Sequence, residues 1–192
     1  MLKRAGACSA FLLFAALAAS PLTLLLLSEP EMVAQSERIV LGTVTTSQAR
    51  WMDPDGDGFE NIYTVATFRI DQTVKGNDPA GTVLTLHVLG GTIGERTQVA
   101  PGVPLFTNGE RLLLCLERSP ETAKLSPIVG VVQGRWIVTT ADDGTEVARR
   151  TFSDAHFMAR TAAGGLTEAA SPGDTVEPLA DLISRLQSEE RK

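Results

Sequence analysis

Residues 61–76, NIYTVATFRIDQTVKG, alternate apolar and polar side chains along their first ten positions, and this stretch decides the fold class. Ile62, Thr64, Ala66, Phe68 and Ile70 fall on one face of an extended chain, and Tyr63, Val65, Thr67 and Arg69 on the other. Successive side chains of a strand point to opposite faces, so the pattern predicts a long strand with one face in a core. Upstream, RIVLGTVTTSQARW (38–51) has the same β character, with Ile39, Leu41 and Thr43 opposite Val40 and Val44. The two runs flank DPDGDG (53–58), whose Asp and Gly residues suit a turn, and together they predict one hairpin.

Working outward, TVLTLHVLG (82–90) predicts a third strand with Leu84, Leu86 and Val88 on its apolar face. The nearly unbroken hydrophobic run in ERLLLCLER (110–118) predicts a fourth, buried on both sides. IVGVVQGRWIVTT (128–140) contains a fifth, in which Gly130 and Gly134 mark a bulge or bend. ADDG (141–144) is a hairpin signal leading into TEVARRTF. Ahead of all these, TLLLL (23–27) reads as a short first strand. In SEPEMVAQSE (28–37), Ser28 and Glu31 have the spacing of a capping box and Pro30 suits a first helical turn. Residues 159–175, rich in Ala, Gly, Ser, Thr and Pro, read as a flexible linker. Residues 176–192 read as a C-terminal helix with a Leu179, Leu182, Ile183, Leu186 stripe. The prediction is a mainly β domain over 28–158, a five- to six-stranded barrel with one packed N-terminal helix and a C-terminal helix. A two-sheet sandwich is the structural alternative.

At the N-terminus, Lys3 and Arg4 precede ACSAFLLFAALAAS, a basic start followed by an apolar run and small residues. That order reads as a signal peptide over 1–18, with Ala16-Leu17-Ala18 as the cleavage site. An uncleaved anchor is the rival reading, because LTLLLL extends the apolar stretch beyond Pro21. Cys8 precedes the apolar run, whereas an acylated cysteine would follow it. Without residues 1–18, the 17 Lys and Arg fall to 15 against 23 Asp and Glu, a net charge of −8. An acidic domain lacks the basic clusters that nucleic acid or anionic lipid requires. The expected location is secreted or periplasmic, with no stable membrane insertion after cleavage. Only Cys115 then remains, so no internal disulfide forms and the apolar run around it predicts a buried thiol.

As an ordered set, RIVLGTV, IYTVATFRIDQTVKG, LHVLGGTIG, PGVPLFTNGERLLLCLE and VVQGRW resemble a widespread group of exported bacterial proteins. That group is similar to the netrin-module or tissue-metalloproteinase-inhibitor type of OB-fold, and the resemblance covers about residues 28–140. It implies a barrel with a packed helix and a binding rather than catalytic role. Fold alone does not supply function. The metalloproteinase inhibitors chelate zinc through an N-terminal Cys-x-Cys, which this sequence lacks, so that mechanism carries over to no residue here.

Two stretches are candidate sites. Asp53, Asp55, Asp57 and Gly58 match the opening of an EF-hand calcium loop, but position 12 is Thr64, which offers no bidentate carboxylate. A solvated turn is the competing reading, and weak calcium binding is the only cofactor expectation. The segment 89–109, LGGTIGERTQVAPGVPLFTNG, is long, rich in Gly and Pro, and without strand pattern. Gly90, Gly91, Thr92, Arg96 and Phe106 within it are predicted to form a binding loop, with Arg96 and Phe106 exposed. No Gly-Lys-Ser/Thr follows GGTIG, so it is not a phosphate loop. His87, expected on the non-core face of its strand, and His156 have no zinc-ligand company; Ser153, Asp154 and His156 lack a nucleophile setting. Trp51 and Trp136 read as core or rim aromatics. No catalytic residue is expected. The sequence therefore predicts an exported non-enzymatic domain recognising a protein partner through its loops. A protease-directed inhibitor working through another edge, and a weak calcium-binding module, are the alternatives.

Overall fold

The computed structural model describes residues 22–54, 56–118, 124–152 and 155–192. The expected signal peptide, Cys8, Asp55, Ser153 and Asp154 lie outside the described residues. The elements are β1 (Leu22–Leu25), α1 (Glu29–Gln35), β2 (Arg38–Met52), β3 (Asn61–Lys75), β4 (Val83–Leu89), β5 (Gly91–Ile93), β6 (Arg96–Gln98), β7 (Arg111–Leu116), β8 (Arg135–Thr140), β9 (Glu146–Arg150), β10 (Ala155–Arg160), β11 (Leu166–Ala169), β12 (Thr175–Pro178) and α2 (Leu179–Glu190). The fold is mainly β, as its alternating runs predict.

A seven-stranded antiparallel sheet, ordered β12-β9-β8-β7-β2-β3-β4, forms the body. Its spine is the β2–β3 hairpin, in which Ile39 pairs with Lys75 at one end and Met52 with Asn61 at the other. Register shifts at Ile39/Val40, Leu41/Gly42 and Val44/Thr46 break the ladder of β2, and bulges of this kind bend a strand. The alternation then sorts two cores. Val40, Val44, Ala66, Phe68, Ile70, Leu86, Leu112 and Leu114 pack together with Phe106 and Ile128 on one face. Ile39, Leu41, Leu113, Cys115, Trp136, Val138 and Ala148 pack on the other against Met32 and Val33 of α1 and Leu179, Leu182 and Leu186 of α2. The strand β7 contributes to both, as its unbroken hydrophobicity predicts.

The expected count of five to six strands requires correction. The main sheet has seven strands, and β4 and β12 remain its edges. Irregular chain lies beside β4: Leu89 N donates to Leu125 O at 2.9 Å. The same segment meets β7, where Ile128 bridges Leu116 and Glu117 N donates to Pro127 O at 2.9 Å. The residues read as a linker, 159–175, also differ from expectation. They carry the end of β10, a turn at 161–165, β11 and the start of β12. Gly, Ser and Thr serve hairpin turns as readily as linkers, and β11 faces solvent along most of its length, so it lacks an apolar signature. Consequently α2 is not tethered; β12 pairs with β9 and delivers it onto the core. A second small sheet, β1-β10-β11, places β1 parallel to β10.

Helix α1 begins as its sequence signature predicts. Ser28 N donates to Glu31 Oε2 at 2.8 Å, and Ser28 Oγ accepts from Glu31 N at 3.4 Å. Ser28 Oγ also donates to Glu31 Oε2 at 2.6 Å, and this bond, with that from Ser28 N, holds the Glu31 carboxyl below its usual range. A lowered value stabilises the folded chain above the ordinary carboxylate pKa, and that contribution is lost as pH falls below it. Ser28→Ala is expected to cost about 1 kcal/mol in urea denaturation at pH 7, the usual loss for an N-cap hydroxyl. Among the described residues no helix is long and apolar enough to cross a membrane.

Cys115 is fully buried, and burial pushes its thiol up to about 12. The thiolate is the reactive form, so a Cys8→Ser chain is expected to release no colour from Ellman's reagent at pH 8 until denaturant is added, and one equivalent afterwards. The unfolded thiol ionises near 9 while the native one does not, so this group stabilises the fold below that pH and the contribution fades between 9 and 12.

Candidate functional site

The far end of the β2–β3 hairpin gathers most of the residues singled out in the sequence. There Trp51 pairs with Ile62, and the turn 53–60 connects the strands. Asp53 organises that turn: its Oδ1 accepts from Asp57 N at 3.2 Å and its Oδ2 from Gly58 N at 2.9 Å. Asp57 Oδ1 in turn accepts from Phe59 N at 2.8 Å. These side-chain-to-backbone bonds are those by which Asp builds loops. Among the described residues, no group of three acidic, His or Cys side chains converges as metal ligands. Asp53→Ala is expected to destabilise by about 1 kcal/mol through loss of turn bonds, measured by chemical denaturation with and without calcium.

The segment 89–109 holds more regular structure than its composition suggests. Strands β5 and β6 form a small hairpin, Thr92 and Thr97 facing across it with hydroxyls 3.0 Å apart. The hairpin is fastened to the end of β3. Gly90 N donates to Ile62 O at 2.8 Å, Ile62 N donates to Gln98 Oε1 at 2.8 Å, and Gln98 Nε2 donates to Asn61 Oδ1 at 3.1 Å. Close approach explains Gly91, with φ of 140°: a Cβ there would sit 2.9 Å from Thr64 Oγ1 and 3.0 Å from Ala49 Cβ. Gly91 is therefore the seat of the hairpin, not an exposed contact residue.

Of the predicted binding-loop residues, Thr92 and Arg96 are exposed. Arg96 lies over Trp51, its guanidinium carbon 5.8 Å from the ring centroid. Phe106 requires correction: it is only 4% exposed and belongs to the core of the β2–β3–β4 face. An aromatic ring in a Gly- and Pro-rich loop is ambiguous by sequence, and here Ser47 Oγ, donating to Phe106 O at 2.7 Å, draws the loop inward. His87 likewise is buried rather than on an open face. Trp136 is core and Trp51 rim, both within the reading made for them.

What composition did not reveal is the apolar character of this end. Trp51 is 40% exposed, Leu105 45%, Phe59 73% and Val99 75%. Val99 and Leu105 line one small cavity of about 130 Å³ with Gly90, Gly91 and Thr92. Trp51 is joined to the same hairpin by Arg96, and Phe59 sits in the connection from β2 to β3. No family model matches the chain, and neither do any curated protein or solved structure.

Proposed function

We propose that the protein is an exported, non-enzymatic binding domain of OB-like build that recognises a protein partner through the Trp51–Phe59–hairpin end. The observation that carries this reading is the group of exposed Trp51, Phe59, Val99 and Leu105 around a hairpin pinned by backbone bonds. Apolar groups gathered on a surface and rimmed by polar residues mark interaction sites, and Trp and Arg are the side chains that most often anchor protein interfaces. Pre-fastening the hairpin through Ile62 and Gln98 lowers the ordering cost of association. The OB-like build is supported by the bonding of the 124–128 segment to both β4 and β7.

A photo-cross-linking side chain placed at Phe59 tests the reading, with the same group at exposed Asn77, beyond the opposite end of β3, as control. The expected result is one discrete adduct from position 59, absent from position 77 and lost when Trp51→Ala and Arg96→Ala are added. Secreted proteases form the first panel of partners, on the strength of the resemblance. Equal labelling from 59 and 77, or none from either, overturns it.

A further inference from the structure

A separate cavity of about 390 Å³ opens beyond β1, lined by apolar Leu26, Leu27, Phe152 and Pro172 and by the side chain of Arg150. Its guanidinium carbon lies 4.8 Å from the centroid of the Trp136 ring and 5.0 Å from that of Phe152. Nη1 donates to the backbone carbonyl of Gln133 at 3.2 Å, and the buried Nε has no hydrogen-bond partner among the described residues. No described carboxylate forms an ion pair with it. Glu29 and Glu177, whose charges it does feel, are both clasped by Arg185: Nε donates to Glu29 at 2.8 Å and Nη1 to Glu177 at 2.8 Å.

The contrast with the cavity under α2 is informative. There Arg111 is already neutralised, 2.6 Å from Asp71 and 2.9 Å from Glu146. In the Arg150 cavity the other charged lining groups among the described residues are Arg160 and Glu31, 3.8 Å apart, so the described lining carries two cations against one anion. Glu31 is further committed to Ser28. A half-buried guanidinium with no carboxylate partner among the described residues, set among apolar walls, is a fork-shaped receptor for a planar anion. The surplus of one positive charge favours a monoanion over a doubly charged phosphate. The turn that presents the Gln133 carbonyl is also strained: Val131, β-branched, has a φ of 64° in the 128–134 turn.

We infer that this cavity binds a small monoanionic carboxylate with an apolar tail, the carboxylate on Arg150 and the tail against Leu26, Leu27 and Phe152. The volume is within the range of small-molecule sites. It is independent of the loop surface and stands or falls on its own ligand.

Octanoate is the probe, titrated by calorimetry and by fluorescence of Trp136, which touches the guanidinium. Saturable binding at millimolar octanoate is expected, with octanamide at least about tenfold weaker because a charge-assisted bidentate pair is lost. Arg150→Gln should produce the same loss. Because Arg150 also packs on Trp136, Ala159→Phe provides a second variant that fills the cavity from β10 and leaves the arginine in place; it too should abolish binding. Octanamide binding as well as octanoate, inorganic phosphate binding as tightly, retained binding in Ala159→Phe, or no saturable signal would each overturn the assignment.

Discussion

Gly42→Ala should remove a large part of the protein's stability although it adds a single methyl group. A Cβ at this position would stand 2.2 Å from Arg69 O and 2.7 and 2.8 Å from the Phe68 ring. Neither neighbour can yield. Arg69 O is backbone in the longest ladder of the sheet, and Phe68 is fully buried among Val40, Leu86 and Leu112. Relief requires parting β2 from β3 beside the Leu41/Gly42 register shift, which drags the flanking pairs with it. Overpacking a close-fitted core costs about 1–3 kcal/mol and more when backbone must move, so about 3 kcal/mol is expected. In a chain of this length that corresponds to a melting temperature lowered by about 10 °C. Gly94→Ala, where no atom lies within 4 Å of the added carbon, gives the baseline for a turn glycine with positive φ. A Gly42→Ala loss no larger than that baseline would show that the hairpin opens locally at little cost.

Gln133→Leu is expected to be nearly as damaging, for the opposite reason: it keeps the volume and removes the polarity. The side chain is 2% exposed and works as a one-residue strand. Its Oε1 accepts from Leu27 N at 2.9 Å, and its Nε2 donates to Leu25 O at 2.9 Å. These bonds bind the end of β1 and the approach to α1 to the 128–134 turn. A leucine leaves both backbone groups without partners in a half-buried setting. At about 1–3 kcal/mol for each orphaned group, the expected loss is about 3 kcal/mol. Hydrogen exchange gives a sharper readout than melting, because the Leu27 amide should lose protection while amides in the middle of β3 change less. Gln133→Glu adds a pH test. Its carboxylate can receive from Leu27 N but opposes Leu25 O, whereas its neutral acid can donate to that carbonyl. The folded state therefore favours the protonated form, so this variant should gain on Gln133→Leu as pH falls. An unaltered Leu27 exchange rate in Gln133→Leu would count against this account.

Legibility in the sequence followed the range of the interaction. The strands at 38–52 and 61–75, the Ser28–Glu31 box, the ADDG turn and the α2 stripe were all written in residues a few positions apart, where backbone periodicity and capping act. Features set by distant partners were hidden. Thr92 and Thr97 sit in strands of three residues, too short for alternation to register. Phe106 gave no hint of inward placement, because that depends on a bond from Ser47, far away in sequence. Leu166–Ala169 looked like linker because a strand exposed on its faces needs no apolar residue. Gln133 and Arg150 carried no local signature at all. Their roles come from groups far along the chain, at Leu25, Leu27 and Trp136. The Asp53 turn was read on both sides, as ligand and as turn, because the same carboxylate geometry serves either.

Arg185 joins Glu29 at the start of α1 to Glu177 at the end of β12, so the first and last portions of the described chain meet at one side chain. Leu182 and Leu186, fully buried beside it, complete the core that Leu113, Cys115 and Trp136 begin. This arrangement sets a timetable for biogenesis. The sheet cannot complete the cover of its helix-facing side until the twelve residues of α2 have been made and docked beside α1. A nascent chain halted before residue 179 leaves the part of that face under α2 uncovered, as Leu179, Leu182 and Leu186 are what complete its core.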